Sequence, residues 1–390
     1  MIPTIVKNYE DEEGLHFVLK DVHLSVANAL RRTILSDIPT LVIRTENQKI
    51  NQCTILNNTT RFHNEIVKQR ISCIPIHTKD LDNFPKKYRL VINVKNEKQH
   101  EMRWVTCHDF QIQDKQNDQF IDNTELEKLF PIDPITNKPI DFLRLRPNMG
   151  PTIPGEHINL TADFSVATAK DNGMFNVVSK CAFHNSIDVD IRENLWSIQL
   201  QGLKDEGRSE EEIEFERNNF LNLDAYRCFK VNDKGEPNEF DFIVKTIGVY
   251  DNKEIVYNAC KILEKWFHQF VHDVQSQIVP SHESIESRDL GYTSVTVSSI
   301  ENSYDIILEN EDYTIGYLLE HYLFTLFYEN KDNDELTYVG FKKYHPHDSY
   351  SVIRMAFKKK ETAQLLCSSY LVIAAKEIAK TIESVKNKFQ

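Results

Sequence analysis

No two of the seven cysteines, Cys53, Cys73, Cys107, Cys181, Cys228, Cys260 and Cys367, stand in a C-x-x-C pair. An odd, scattered set gives neither a disulfide framework nor a cysteine metal site, and it fits a reducing compartment. The opening MIPTIVKNYEDEEG lacks the basic and apolar halves of a signal peptide. No apolar run approaches the roughly 20 residues of a membrane span, so an intracellular protein is expected. Positive charge is also short: 46 basic residues face 59 acidic ones, a formal charge of -13. Such a surface repels phosphates, which argues against nucleic-acid binding as the main role. The chain has no G-x-S-x-G, P-loop, dinucleotide fingerprint or H-E-x-x-H, and no catalytic centre is expected.

What is present suits a globular protein of two or three domains: 390 residues, 41% hydrophobic and 27% charged. In SVANALRRTILSDIPT (Ser25 to Thr40), Val26, Ala29, Leu30 and Ile34 recur at helical spacing. Ser25 offers a cap and Pro39 a stop, which predicts a short amphipathic helix. In NEDYTIGYLLEHYLF (Asn310 to Phe324), Asp312 and Thr314 offer capping oxygens ahead of Ile315, Leu318, Leu319, Tyr322 and Leu323. A much longer helix is predicted where Val256, Ala259, Cys260, Leu263, Trp266, Phe267, Phe270, Val271, Val274 and Ile278 keep three-four spacing up to Pro280. The last helix carries Leu366, Tyr370, Ile373, Ala374, Ile378, Ile382 and Val385.

Between these helices, Leu15, Phe17 and Leu19 alternate as in a strand, and so do TVSSI and YDIIL after Ser294. Tyr338 to Phe357 reads as a hairpin. A short helix is expected near Ile66 and Val67, with Phe62 on the same face, before the extended segment at Pro75. From Lys79 to Asn222 the texture is short alternating runs broken by prolines, a mostly β region. Within it, KDEGRSEEEIEFERNN (Lys204 to Asn219) is expected to be a solvated helix or loop, or an acidic contact. SHESIESRDLGYT reads as a polar linker.

Several of these stretches resemble the alpha-like subunits of cellular RNA polymerases, the group containing bacterial alpha and the third-largest subunit of RNA polymerase II. N-A-L-R-R (Asn28 to Arg32) is similar to the family's first-helix signature. Glu311 to Leu319 resembles that of the small alpha-like partner subunit. Glu65, Arg70, Ile74 and Pro75 match a further motif, with Ser72 in place of glycine. Pro154, Gly155 and Glu156 resemble the family's P-G-Q. Gly340, Phe341, His345 and Pro346 match G-Y-x-x-x-H-P, with Phe341 for tyrosine.

The resemblance implies an α+β fold of two alpha-like dimerisation modules, each an antiparallel sheet plus two helices, pairing intramolecularly through a four-helix interface. The expected bounds are 1–45 and 223–280 for the first module, 46–222 for a mostly β insert domain, 281–293 for a linker and 294–390 for the second, small module. A linker of about 13 residues spans roughly 20 Å, which holds the modules at millimolar effective concentration. The implied interface comprises Val26, Ala29, Leu30, Ile34, Leu263, Trp266, Phe267, Phe270, Ile315, Leu318, Leu319, Tyr322, Leu323, Leu366, Tyr370, Ala374 and Ile378. The implied function is that of a non-catalytic assembly subunit of a DNA-directed RNA polymerase. It forms the platform for the second-largest and then the largest subunit, with small zinc-bearing subunits as further partners. No cofactor is expected, because the insert lacks the cysteine set that can hold a zinc or iron-sulfur cluster in eukaryotic and archaeal relatives. The fusion points to a large DNA virus, and then to host cytoplasm or virion, with the nucleus also open.

Arg31 and Arg32 are adjacent, so they point about 100 degrees apart around a helix and cannot both be buried. They form either a solvated face or, as the resemblance implies, a contact to the second-largest subunit, together with Glu65 and Arg70 and with Lys68 and Gln69 as lesser candidates. His345 and His347 with Asp348 have a metal-like spacing spoiled by Pro346. Asp188 and Asp190 alternate with Ile187, Val189 and Ile191 as the wet face of a strand. A metal-dependent hydrolase built on these groups, or an interaction scaffold outside transcription, are the rival functions.

Overall fold

The computed structural model describes residues 3–150, 152–276, 281–283, 289–290, 293–294, 300–330 and 335–390. Its helices in chain order are α1 (Leu24–Ser36), α2 (Asn64–Ser72), α3 (Phe84–Lys87), α4 (Asn123–Leu129), α5 (Val189–Asp205), α6 (Glu210–Asn222), α7 (Asn252–Gln275), α8 (Tyr313–Leu323) and α9 (Lys360–Lys386). The chain divides into two compact units. One comprises the described residues of 1–34, 180–245 and 256–390, the other 35–179 and 246–255.

The first unit holds two four-stranded sheets. In one, the order is Thr4–Asp11, Gly14–Lys20, Glu239–Thr246, Val178–Asn185. Gly14–Lys20 pairs antiparallel on both sides, and its alternating Leu15, Phe17 and Leu19 are buried. Phe17 stands opposite Phe242, and their rings stack 4.9 Å apart. The turn into this strand needs Gly14, whose φ is +127° and where a Cβ would lie 2.3 Å from the Val244 carbonyl oxygen. The other sheet runs Ser281–Glu283, Ser303–Glu309, Tyr350–Phe357, Leu336–Lys342. Asp305 and Arg354 face each other across it, and the guanidinium donates two bonds of 2.6 and 2.7 Å to the carboxylate. Helices α8 and α9 pack on this sheet. The expected hairpin and the YDIIL strand are therefore found. Most of TVSSI, Ile278, Pro280 and most of the expected linker lie outside the described residues, and Ser281–Glu283 is a strand rather than linker.

The second unit is mostly β. Its largest sheet orders Cys53–Asn58, His157–Asp163, Tyr88–Lys95 and Gln111–Asp114, with two-stranded ribbons beside it. One core gathers Leu90, Ile92, Val105, Phe110, Phe142 and Leu160, with Val67 and Ile71 of α2. Phe62 precedes that helix, and Ile66 is only half buried. Ser72 ends the helix with its hydroxyl donating 3.0 Å to the Lys68 carbonyl.

Residues 180–222, read from the sequence as part of the insert, fall in the first unit. Val178–Asn185 is the edge neighbour of Glu239–Thr246, and the rest forms the helices α5 and α6. The expected strand at Asp188 to Ile191 is corrected to a helix start. The Asp188 carboxylate accepts the Ile191 backbone N–H at 3.0 Å, a cap that a period-two pattern over five residues hides. The acidic run is the capped, exposed helix α6, with Ser209 and Glu212 forming a capping box.

Candidate functional site

The two helices that organise the first unit are built alike. Helix α1 buries Val26, Ala27, Ala29, Leu30, Thr33 and Ile34; α8 buries Ile315, Gly316, Leu318, Leu319 and Leu323. Residue for residue, Val26, Ala29, Leu30 and Ile34 correspond to Ile315, Leu318, Leu319 and Leu323. Their amino ends match as well. The expected Ser25 cap is corrected: α1 starts at Leu24, and the imidazole Nδ1 of His23 accepts the Ser25 backbone N–H at 3.1 Å. At the corresponding place Asp312 accepts the Thr314 N–H at 2.9 Å.

The contacts between these helices are reciprocal. Arg32, near the end of α1, donates to the hydroxyl of Thr314 at 2.5 Å and forms an ion pair with Asp312. His321 holds the position in α8 that Arg32 holds in α1, and it stacks on His23, the counterpart of Asp312, with centroids 3.5 Å apart. The same two positions thus meet twice with exchanged roles. Burial pushes the His321 imidazole down to about 3, with the neighbouring His23 and Lys234 adding to the effect; burial lowers His23 too. Burial thus favours the neutral form of both stacked rings.

Helices α7 and α9 close the site. Val26, Ala29, Leu30, Cys260, Leu263, Leu318, Ile382 and Val385 line one void of about 10 Å³, at the lower limit for a single water. The Trp266 indole N–H donates 2.7 Å to Glu311, Lys386 donates 2.5 Å to Glu264, and Phe389 meets Phe17 edge-on at 5.0 Å. Phe267, Phe270, Ala374 and Ile378 are buried; Trp266, Tyr322 and Leu366 are half buried. Tyr370 stacks on Phe327 at 3.8 Å and meets Phe357, so it fills the core beneath α9. Tyr322 donates to Thr381 of α9. The polar contacts His23, His321, Glu264, Glu311 and Lys386 were missed by a search for apolar stripes, as were Ile382 and Val385 as members of this cluster. The matching caps and apolar positions of α1 and α8 were the signal for His23 and His321.

Beside the reciprocal contact runs a groove of about 540 Å³, with Leu24, Asn28, Phe183, Tyr313, Tyr317 and Glu320 among its walls. Phe341 lies against Gly316, where a Cβ would meet its ring at 2.0 Å, and Tyr313 and Tyr317 pack on the same ring at 5.5 and 5.3 Å. Glu320 accepts the Phe341 N–H, and burial raises its carboxyl. The glycine of one signature is thus the seat for the aromatic of the other.

The candidate subunit-contact residues separate. Arg32, expected to reach another subunit, has its guanidinium on Asp312 and Thr314, because α8 starts within its reach. Arg31 points away and donates 2.8 Å to Asn28 at the groove. In the second unit, Arg70 donates to the carbonyls of Phe142 and Asp141 at 2.7 and 3.2 Å, while Glu65 projects into solvent. His345 and Asp348 serve a turn: Asp348 accepts the His345 N–H and the His345 ring accepts the His347 N–H. Among the described residues no cluster of three His, Cys, Asp or Glu side chains could hold a metal.

Comparison with known proteins adds sequence evidence to this geometry. The profile of the RNA polymerase Rpb3/Rpb11 dimerisation domain matches residues 16–267. DNA-directed RNA polymerase subunit Rpo3 of Pyrococcus furiosus is 39% identical over 67 residues, 17% of this chain and 23% of that protein. Subunit RPAC1 of the human DNA-directed RNA polymerases I and III is 33% identical over 67 residues, 17% of each chain. Rpo3 of Thermococcus kodakarensis is 33% identical over 66 residues, 17% of this chain and 23% of that protein. These matches span less than a quarter of each relative's length.

Proposed function

Because the chain belongs to the family of the RNA polymerase Rpb3/Rpb11 dimerisation domain, we propose that it is a non-catalytic assembly subunit of a multisubunit DNA-directed RNA polymerase. In this reading residues 294–390 are a second alpha-like module that pairs with the first inside one chain. The observation that carries it is the reciprocal exchange, Arg32 on Asp312 and His321 on His23, over a shared apolar void. A core element has no need to repeat its polar contacts with exchanged roles. Two copies of one fold across a pseudo-twofold axis do so by symmetry.

The paired helices form the platform for the second-largest subunit and then the largest. Arg31 with Asn28 and the adjoining aromatic groove is the contact surface favoured on the first unit, and Glu65 with Arg70 on the second. Arg32 acts inside the pair. A single chain carrying both modules suits a polymerase encoded by a large DNA virus and assembled in cytoplasm or virion.

The test is purification of the tagged full chain from its native setting. The two largest polymerase subunits should accompany it with promoter-independent RNA synthesis, and Leu319→Asp, a charge placed in a fully buried position, should abolish both. A chain recovered alone, folded and monomeric, would remove the polymerase function and leave the fold intact.

A further inference from the structure

Within the first unit, helices α5 and α6 are joined to its sheet through a narrow neck. Ile187 bridges Phe229, the Asp188 N–H donates 2.7 Å to the Cys228 carbonyl, and the Lys230 N–H donates 2.9 Å to that of Ser186. Beyond the neck, no residue of the 17-residue helix α5 is buried. Most of a helix's stability in a protein comes from packing of one apolar face rather than from propensity, so some packing has to hold it. One row does pack: Trp196, Leu200 and Leu203 are half buried, and Trp196 lies 5.4 Å from the ring of Phe220 in α6. The opposite row is open. Ile191, Leu195 and Ile198 follow at i, i+4 and i+7, exposed by 42, 47 and 63%. Single exposed aliphatics are ordinary, whereas three aligned within one narrow arc are the anchors of a helix that lies against a partner.

The net charge of the hairpin selects that partner. Asp188, Asp190, Glu193, Asp205, Glu206, Glu210, Glu211, Glu212, Glu214 and Glu216 stand against Arg192, Lys204, Arg208 and Arg217. Arg208 is already turned onto Glu206 and Glu212. The excess of carboxylates repels nucleic acid and anionic lipid and attracts lysine and arginine.

We propose that the α5–α6 hairpin is a second docking surface, on which the Ile191, Leu195 and Ile198 row seats an amphipathic protein segment with an apolar face flanked by basic residues. It stands apart from the paired helices and does not depend on their polymerase role.

The test uses the full chain and a fluorescein-labelled synthetic helix with leucines at i, i+3, i+4 and i+7 and lysines elsewhere, beside its glutamate-for-lysine counterpart. Fluorescence anisotropy should show the lysine peptide binding and its affinity falling as salt rises, while the glutamate peptide stays free. The triple variant Ile191→Ala, Leu195→Ala, Ile198→Ala should weaken binding by about tenfold or more with an unchanged thermal melt. Ile198→Glu alone, at the most exposed of the three positions, should weaken it too and covers the case in which the triple variant is unstable. Equal binding by these variants, equal binding of the two peptides, or a wild-type self-association that the variants abolish would overturn the proposal.

Discussion

Truncating Leu30 and Leu318, singly and together, measures whether α1 and α8 share one packed environment. Both side chains line the same small void and are almost wholly buried. Leucine to alanine removes three buried carbons, about 2.4 kcal/mol of transfer free energy at about 0.8 per methylene. The cavity left behind raises the cost to about 3 to 4 kcal/mol, within the range of such substitutions. Leu30→Ala and Leu318→Ala should each lose that much. The double variant should lose less than their sum by about 1 kcal/mol, because the second truncation removes contacts the first has already emptied. Urea unfolding of the full chain, followed through Trp266 after Trp104→Phe and Trp196→Phe, reports on this site through the indole bonded to Glu311. Additivity within about 0.3 kcal/mol would mean that the two leucines do not share a cavity, and the pairing of modules would lose its energetic basis.

Three further outcomes follow from the same geometry. Arg32→Ala and Asp312→Ala should show a coupling of about 0.5 to 1 kcal/mol that shrinks with salt, since both side chains remain more than a third exposed; no coupling at low salt would make the ion pair incidental. Gly316→Ala forces a methyl into the Phe341 ring and should cost about 1 to 3 kcal/mol, but much less in a Phe341→Ala background; equal losses would place the strain elsewhere. His23 and His321 have folded-state pKa values below the ordinary 6.5, His321 at about 3, so the unfolded chain binds more protons as pH falls between those limits. Their contribution is fully present above about 6.5 and is lost on acidification, so His321→Phe, which keeps a ring for the stack, should flatten the stability profile across that window in urea titrations. An unchanged slope would show that His321 is not held neutral.

Sequence by itself determined the pieces that depend on near neighbours. The apolar rows of α1, α7, α8 and α9 are periodic over several turns, so which faces are buried follows from composition along the chain. The hairpin ending in Tyr350–Phe357 and the β-rich second unit likewise follow from alternation and turn residues. Short stretches were decided otherwise. Ile187 to Ile191 fits a strand or a helix start equally well, and only the Asp188 cap within a folded neck selects the helix. Residues 180–222 carry no local mark of the sheet they join; Val178–Asn185 is placed by its hydrogen-bonded neighbour, which follows more than fifty residues later. Arg32 is the sharpest case. Its sequence context is an exposed helix position beside a second arginine, and any acidic partner would satisfy it. That the partner is Asp312, at the start of the matching helix 280 residues away, depends on how two similar helices cross, and no local preference encodes a crossing.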